Sequence, residues 1–300
     1  MEYSKTNTKK EPYMNEKKEP LTRRKFIKIA AASALGATLL PKFTLAGSSP
    51  FHSDSLQVWS CGGLAEAFME ANALFEQQTD IQINYTGAFA GALGKSLLGG
   101  ATTEIFAGRV LKLAKSLREA GKMLYFRPLC FTEYVIVTPP DNPAGIRSLQ
   151  DLAVPGVRVI LPLGASPPGG DAVAGILKKA RIDQAVRRNM IEKESCVIKM
   201  MPKIARGKGD ASIVERRLTC MPKFAQKVQV IPINEAFFPP GPLTFTIGVM
   251  KYAADRNMAD QYIDFICSAE GQSIFQKHGF IPAISAKGKT LIEKLGVKDD

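Results

Sequence analysis

Hydrophobic positions along the chain switch repeatedly between the two-residue period of a strand and the 3.6-residue period of a helix. Residues 56–59 (LQVW) predict a short strand that ends in a glycine turn, and residues 64–78 then place apolar side chains at helical spacing. Two further predicted strands, residues 81–85 and 104–108, are each followed by a predicted helix. Strands that alternate with helices predict an α/β fold with a mostly parallel sheet and helices on both faces.

The alternation restarts at Cys130 and predicts a second α/β domain. Its predicted strands cover residues 132–137, 157–161, 211–214 and 228–231, and its predicted helices cover residues 171–180 and 202–206. A proline-rich break at residues 239–242 then precedes a strand at 243–249 and two closing helices at 253–267 and 269–278. Chain crossings near residues 126–130 and 239–243 would divide the fold into two lobes. The expected lobe 1 contains residues 55–129 and 243–300, and the expected lobe 2 contains residues 130–242.

The first 46 residues have the order of parts found in an export signal. Residues 22–28 (TRRKFIK) place an arginine pair before a hydrophobic residue and a lysine, and residues 29–40 are uncharged. This order is typical of a bacterial twin-arginine signal, and the uncharged run is shorter than the roughly 20 residues that span a bilayer. Small residues predict cleavage after Ala46, where no cysteine offers a lipid anchor. We therefore expect a periplasmic protein, the alternative being a basic amphipathic N-terminal helix.

Removal of that signal changes the charge balance. Residues 1–46 hold 10 of the 40 Lys and Arg residues and 4 of the 28 Asp and Glu residues, so the exported chain carries about six surplus positive charges. This modest surplus, without a basic stripe interleaved with aromatic residues, gives no indication of nucleic-acid binding. The five cysteines all follow the signal without C-x-x-C spacing, and their odd number leaves at least one thiol unpaired. We interpret most of them as buried small hydrophobic residues.

Several segments together resemble the type II periplasmic solute-binding proteins of ABC importers, and within them the molybdate- and tungstate-binding branch. These segments are LQVWSCGGLAEAFMEANALFEQQTDIQINY, GAFAGALGKSL, EIFAGRVLKLAKSLREAG, RGKGDASIVE and SAEGQSIFQKHGFIPA. The resemblance covers nearly all of residues 55–285. It implies two lobes, each a mostly parallel sheet flanked by helices, with the ligand cleft between them.

The resemblance also implies a place for the ligand. Proteins of this branch hold a tetrahedral oxyanion with backbone NH groups at helix N-termini, two serine hydroxyls and a tyrosine hydroxyl. The serine positions fall at Gly63 and Ala90 and the tyrosine position at Glu215, so all three hydroxyls are replaced. Backbone amides and helix dipoles still favour an oxyanion such as molybdate or tungstate. The implied site residues are Cys61, Gly62, Gly63, Ala90, Gly91, Arg109, Pro168, Gly169, Val197 and Glu215.

The replaced residues leave a second ligand class open. Thiolates of Cys61 and Cys196 with the carboxylate of Glu215 would suit a thiophilic metal or metalloid. Glu215 has another interpretation, as the ion-pair partner of Arg216, Arg217 or Arg109. Arg109 has two further interpretations of its own, as a residue that contacts an anion or as one that points to solvent.

An exported thiol hydrolase is the third alternative. A nucleophilic cysteine needs a nearby base, and the resemblance places neither His52 nor His278 beside Cys61 or Cys196. The sequence also contains no G-x-S-x-G elbow, phosphate loop or HExxH pattern. We therefore expect a monomeric receptor without a cofactor or enzymatic activity, which closes on a small inorganic ligand and passes it to importer membrane subunits.

Overall fold

The computed structural model describes residue 51 and residues 54–299, and residues 48–300 form one compact unit. The predicted export signal lies outside the described residues. Within them, the strands are β1 (Ser55–Cys61), β2 (Gln82–Ala88), β3 (Ile105–Arg109), β4 (Met123–Phe131), β5 (Tyr134–Thr138), β6 (Val159–Leu161), β7 (Met190–Lys193), β8 (Ser212–Glu215), β9 (Gln229–Pro232), β10 (Thr244–Met250) and β11 (Ile281–Pro282). The α-helices are α1 (Ala65–Thr79), α2 (Ala90–Leu98), α3 (Leu111–Glu119), α4 (Gly169–Lys179), α5 (Asp183–Arg188), α6 (Val197–Ala205), α7 (Arg216–Cys220), α8 (Arg256–Cys267), α9 (Ala269–Lys277) and α10 (Ala286–Leu295).

The larger sheet has six strands in the order β11-β4-β10-β3-β1-β2. Strand β1 is parallel to β2 and β3, as expected for strands joined through helices α1 and α2. Leu56 and Val58 of β1 and Phe68 of α1 are fully buried in the core beside this sheet. The alternating apolar positions of β1 and the helical spacing in α1 therefore bury one face of each element against the other.

Two smaller sheets lie in the middle of the chain. One has the order β8-β5-β9 and is antiparallel throughout, and the other pairs β6 with β7 in parallel. A parallel bridge between Val159 and Ala211 lies beside both sheets. Ile136 of β5, Val159 and Ile176 of α4 belong to one apolar cluster, separate from the cluster beside the larger sheet. The middle of the chain thus has a core of its own.

The expected α/β fold class is confirmed, whereas the strand directions differ in part from the prediction. The larger sheet is mixed because β10 is antiparallel to both β3 and β4. A helical crossover favours parallel strands, and β4, which follows β3 through α3, does run parallel to β3; β10 follows no such crossover within this sheet and is free to be antiparallel. Residues 126–130, predicted as a bare chain crossing, lie within β4. Pro128 and a register shift opposite Thr246 interrupt the alternation that would have revealed this strand.

Five elements of the fold were not predicted from the sequence pattern. They are α5, β7, α7, β11 and α10, which are short or lie in weakly periodic segments.

Among the described residues, every helix is too short or too polar to cross a bilayer.

Candidate ligand-binding site

A pocket of about 460 Å³ lies beside helices α2 and α3 and the turn that precedes α4. It is lined by one face of α2 from Ala90 to Leu98, by the junction of β3 with α3 and the start of α3, and by Pro167 and Pro168 from the middle of the chain. Four residues implied by the family resemblance meet there, namely Ala90, Gly91, Arg109 and Pro168. The pocket therefore has walls from both halves of the described chain.

Four buried or nearly buried side chains, which we call the arginine–glutamate cluster, join the two halves behind this pocket. They are Arg109 of β3, Tyr134 of β5, Glu215 of β8 and Arg217 of α7. Arg109 donates from Nη1 to Glu215 Oε1 at 2.5 Å and from Nη2 to the Tyr134 hydroxyl at 3.0 Å. Arg217 Nε donates to the other carboxylate oxygen, Oε2, at 2.7 Å. Glu215 is thus held by two guanidinium groups, and the cluster carries one net positive charge.

Burial and charge act in opposite directions on the pKa of Glu215. Its side chain is 8% exposed and that of Arg109 is 6% exposed. Burial alone would raise the pKa of Glu215, but the positive charges of Arg109 and Arg217 lower it to about 2. Burial would lower the pKa of Arg109, and the Glu215 carboxylate outweighs this effect and raises it. Burial raises the pKa of Tyr134, and the Glu215 charge adds to that shift. The charged forms of Arg109 and Glu215 and the neutral phenol therefore persist near neutral pH.

The turn after β1 lies against the same cluster. A Cβ atom built on Gly63 would be 3.5 Å from Arg217 Nε, an ordinary contact distance. Cys61 is buried at the end of β1, and the charges of Arg109, Glu215 and Arg217 act electrostatically on its thiol. Burial raises the pKa of this thiol, so it remains protonated. The predicted residues of the first turn therefore border the cluster, with Gly62 beginning a single 3₁₀ turn that leads into α1.

The remaining predicted positions lie at the N-termini of four helices, and none of these four helices is capped by a side chain. Their N-cap residues are Phe89 for α2, Pro168 for α4, Cys196 for α6 and Glu215 for α7. By contrast, α8, α9 and α10 are capped by the side chains of Asp255, Ser268 and Ser285. Uncapped first turns present NH groups and the positive end of the helix dipole. The first turn of α2 lines the pocket directly. Gly169 is the first residue of α4, directly after Pro168 of the pocket wall.

The strand that presents Arg109 ends in a strained turn. Val110, which also lines the pocket, has φ +75° and ψ 110°. A β-branched residue rarely adopts a positive φ. The Val110 NH donates to the Thr244 carbonyl at 3.0 Å, which fixes the turn against β10. Strain of this kind costs roughly 1–3 kcal/mol and is commonly found at ligand sites.

The structure does not support the metal interpretation. Among the described residues, no group of three His, Cys, Asp or Glu side chains has the arrangement of a metal site. Both oxygens of Glu215 are engaged by guanidinium groups, whose charges repel a cation. Cys196 and Val197 lie at the start of α6 and are not among the residues that line the pocket. All five cysteines are free, with Cys61 and Cys130 buried and the other three partly exposed.

The prediction missed the role of Tyr134. This residue lies directly opposite Glu215 in the antiparallel register of β5 and β8. The two residues are 81 positions apart, so the signal appears only once the strand pairing is known. Arg217 was considered only as one of three alternative partners of Glu215. Two of those three, Arg109 and Arg217, bind it together, while Arg216 pairs with Glu133.

A pocket between two α/β halves is the arrangement of the two-lobed periplasmic binding proteins, and the comparisons with solved structures confirm this fold. The chain belongs to the family described as bacterial extracellular solute-binding protein, which matches residues 56–281.

Individual relatives agree with this assignment. The molybdate-binding protein ModA of Mycobacterium tuberculosis is 26% identical over 239 residues, which cover 75% of this chain and 84% of that protein. The substrate-binding domain of a proposed molybdenum ABC transporter from Clostridium difficile superposes with a TM-score of 0.67 at 18% identity, covering 76% of this chain and 98% of that one. The periplasmic molybdate-binding protein of Azotobacter vinelandii gives a TM-score of 0.61 at 16% identity, covering 75% and 98%. These relatives are named as binding or transport proteins and not as enzymes.

Proposed function

We propose that this protein is the solute-binding component of an ABC importer, and that it binds a small oxyanion of the molybdate or tungstate class in the pocket lined by Arg109. The observation that carries the proposal is the net positive charge of the buried arginine–glutamate cluster, one member of which, Arg109, lines that pocket. A buried positive site beside uncapped helix N-termini favours an anion. The relatives named as molybdate-binding proteins support the same ligand class.

The proposed mechanism is binding with lobe closure. The lobes would be residues 55–129 with 243–300, and residues 130–242, and they would move about the two connecting segments near residues 130 and 242. Arg109 belongs to the first lobe and Glu215 to the second, so the ion pair between them forms only when the lobes are together. Ligand contacts from both walls of the pocket then favour the closed form.

The proposal also covers the protein's location and partners. The signal in residues 1–46 would direct a folded monomer through the twin-arginine route to the periplasm. There the protein would deliver its ligand to membrane subunits, a role consistent with a Bacillus subtilis relative whose name proposes an ABC transporter substrate-binding lipoprotein. Catalysis by a thiol is disfavoured because His278 pairs with Glu70 at 2.9 Å and burial raises the pKa of Cys61.

Titration calorimetry of residues 47–300 with molybdate, tungstate, sulfate and phosphate tests the proposal. We expect saturable binding of molybdate or tungstate, with affinity reduced at least tenfold by Arg109→Gln because a buried charged hydrogen-bond donor is lost. Arg127→Gln is the matched control, since Arg127 pairs with Asp264 on an exposed surface. Circular dichroism would verify that both variants are folded. The proposal is wrong if no oxyanion binds, or if the two variants weaken binding equally.

A further inference from the structure

Glu215 places a permanent negative charge beside the proposed anion pocket. Its carboxylate contacts, at 2.5 Å, the guanidinium group of Arg109, a residue that lines the pocket. It is also held by Arg217 at 2.7 Å, and its side chain is only 8% exposed. The carboxylate is thus held in direct contact with a residue that lines the proposed pocket.

This charge stays in place under ordinary conditions. The pKa of Glu215, lowered to about 2 by Arg109 and Arg217 against the opposing effect of burial, keeps the carboxylate ionised. Two guanidinium groups and one carboxylate leave a net charge of +1. Without Glu215 the cluster would carry a charge of +2, in addition to the charges of Lys95 and Lys112 that line the pocket in either case. A doubly charged ligand gains twice as much as a singly charged ligand from each added positive charge.

We propose that Glu215 is a resident counter-ion that determines ligand charge: by cancelling one of the two guanidinium charges, it lowers the affinity of the pocket for doubly charged oxyanions relative to singly charged ones of the same shape. This inference rests on the proposed oxyanion-binding function. It makes Glu215 a specificity-determining residue that acts through Arg109 and Arg217 and does not itself contact the ligand.

Tungstate and perrhenate separate charge from shape. Both are tetrahedral ions with four equivalent oxygens around a metal of similar size, and tungstate carries two negative charges where perrhenate carries one. Calorimetry would give the ratio of their dissociation constants for the wild-type protein and for Glu215→Gln, which keeps the size of the side chain. At a separation of about 7 Å and an effective dielectric constant near 20, one unit charge changes a binding constant by about fiftyfold. We therefore expect the ratio to shift at least tenfold in favour of tungstate.

Glu192→Gln is the matched control. Glu192 is also a carboxylate held by two cations, Lys203 and Lys208, but it lies on β7 and is not among the residues that line the pocket. The Glu192→Gln substitution removes one negative charge, as Glu215→Gln does, and should leave the ratio of the tungstate and perrhenate dissociation constants unchanged. If Glu215→Gln does not fold, Arg217→Gln provides the opposite test, because it lowers the net charge of the cluster to zero and should shift the ratio at least tenfold toward perrhenate.

The outcomes separate this inference from the proposed function. If both ions bind but the variants at 215 and 217 leave their ratio unchanged, Glu215 does not set ligand charge, although the oxyanion site stands. If tungstate binds only to Glu215→Gln, the resident counter-ion is confirmed and the wild-type ligand is not a doubly charged oxyanion. If neither ion binds any of these proteins, the proposed function is wrong and this inference falls with it.

Discussion

Acid should remove stability from this protein through one buried carboxyl group. Glu215 has a pKa of about 2 in the folded protein, against 4.5 for an unperturbed glutamate. Because the folded-state pKa is the lower one, the stabilisation is fully present above about pH 5. It is lost as the pH falls toward 2, since the unfolded chain then binds a proton that the folded protein does not.

The expected loss follows from the size of this shift. The difference between 4.5 and about 2 corresponds to roughly 3 kcal/mol, at about 1.4 kcal/mol for each unit. Since Glu215 is buried between two arginines, solvent does little to reduce this contribution. Most of this loss of stability should occur between about pH 5 and pH 2.5. The loss begins near the pKa of Glu215 in the unfolded chain, 4.5, because the unfolded chain starts to bind the proton there.

Urea unfolding of residues 47–300 at a series of pH values, for the wild-type protein and Glu215→Gln, would measure this contribution. At neutral pH the variant should be less stable by roughly 3–5 kcal/mol, because Arg109 and Arg217 both lose the buried carboxylate that they contact. The stability difference should shrink by about 2–3 kcal/mol between pH 6 and pH 2.5. Glu192→Gln should show a smaller pH dependence, since the Glu192 ion pairs are partly exposed and screened by solvent. A difference that stays constant with pH would refute the proposed role of the ion pairs.

Three other substitutions test separate features of the site. Gly63→Ser should fit, because a Cβ there lies 3.5 Å from Arg217 Nε, and since Gly63 is not among the residues that line the pocket, tungstate binding should stay unchanged in calorimetry. A large change in affinity in a folded variant would contradict this. Val110→Gly should raise the melting temperature by a few degrees by releasing roughly 1–3 kcal/mol of backbone strain, offset in part by the lost side chain. A lower melting temperature would show that the turn is not strained. Cys61→Ala should leave tungstate binding unchanged, as expected for a protonated buried thiol, and loss of binding would instead revive a role for sulfur in the site.

Local periodicity was sufficient to predict the first half of the larger sheet. In β1 and α1 the apolar residues occur at the period of the element that they form, so the βα unit could be recognised from neighbouring residues alone. Strand β4 was missed because Pro128 and a register shift disturb its alternation. The antiparallel insertion of β10 between β3 and β4 is a long-range choice that no local pattern records.

The candidate site shows the same division between local and long-range information. The family resemblance indicated the positions Gly63, Ala90 and Glu215, and the structure places Ala90 at the pocket and the other two at the cluster behind it. The resemblance did not indicate that Arg109 neutralises Glu215, because the two residues are 106 positions apart in the sequence. Tyr134 is likewise brought to the cluster only by strand pairing. Contacts between distant residues, and not residue types, define this site.

The three replaced hydroxyls are better understood together than one at a time. A glutamate alone in an anion pocket would repel the ligand by several kcal/mol. Paired with Arg109 and Arg217, Glu215 instead leaves a positive site that relies on charge where the related pattern relies on hydroxyl groups. Hydroxyl donors select mainly by shape, whereas a buried net charge selects by the charge of the ligand. If the proposed oxyanion function holds, the charge of the arginine–glutamate cluster is therefore the feature expected to decide among ions of the same shape.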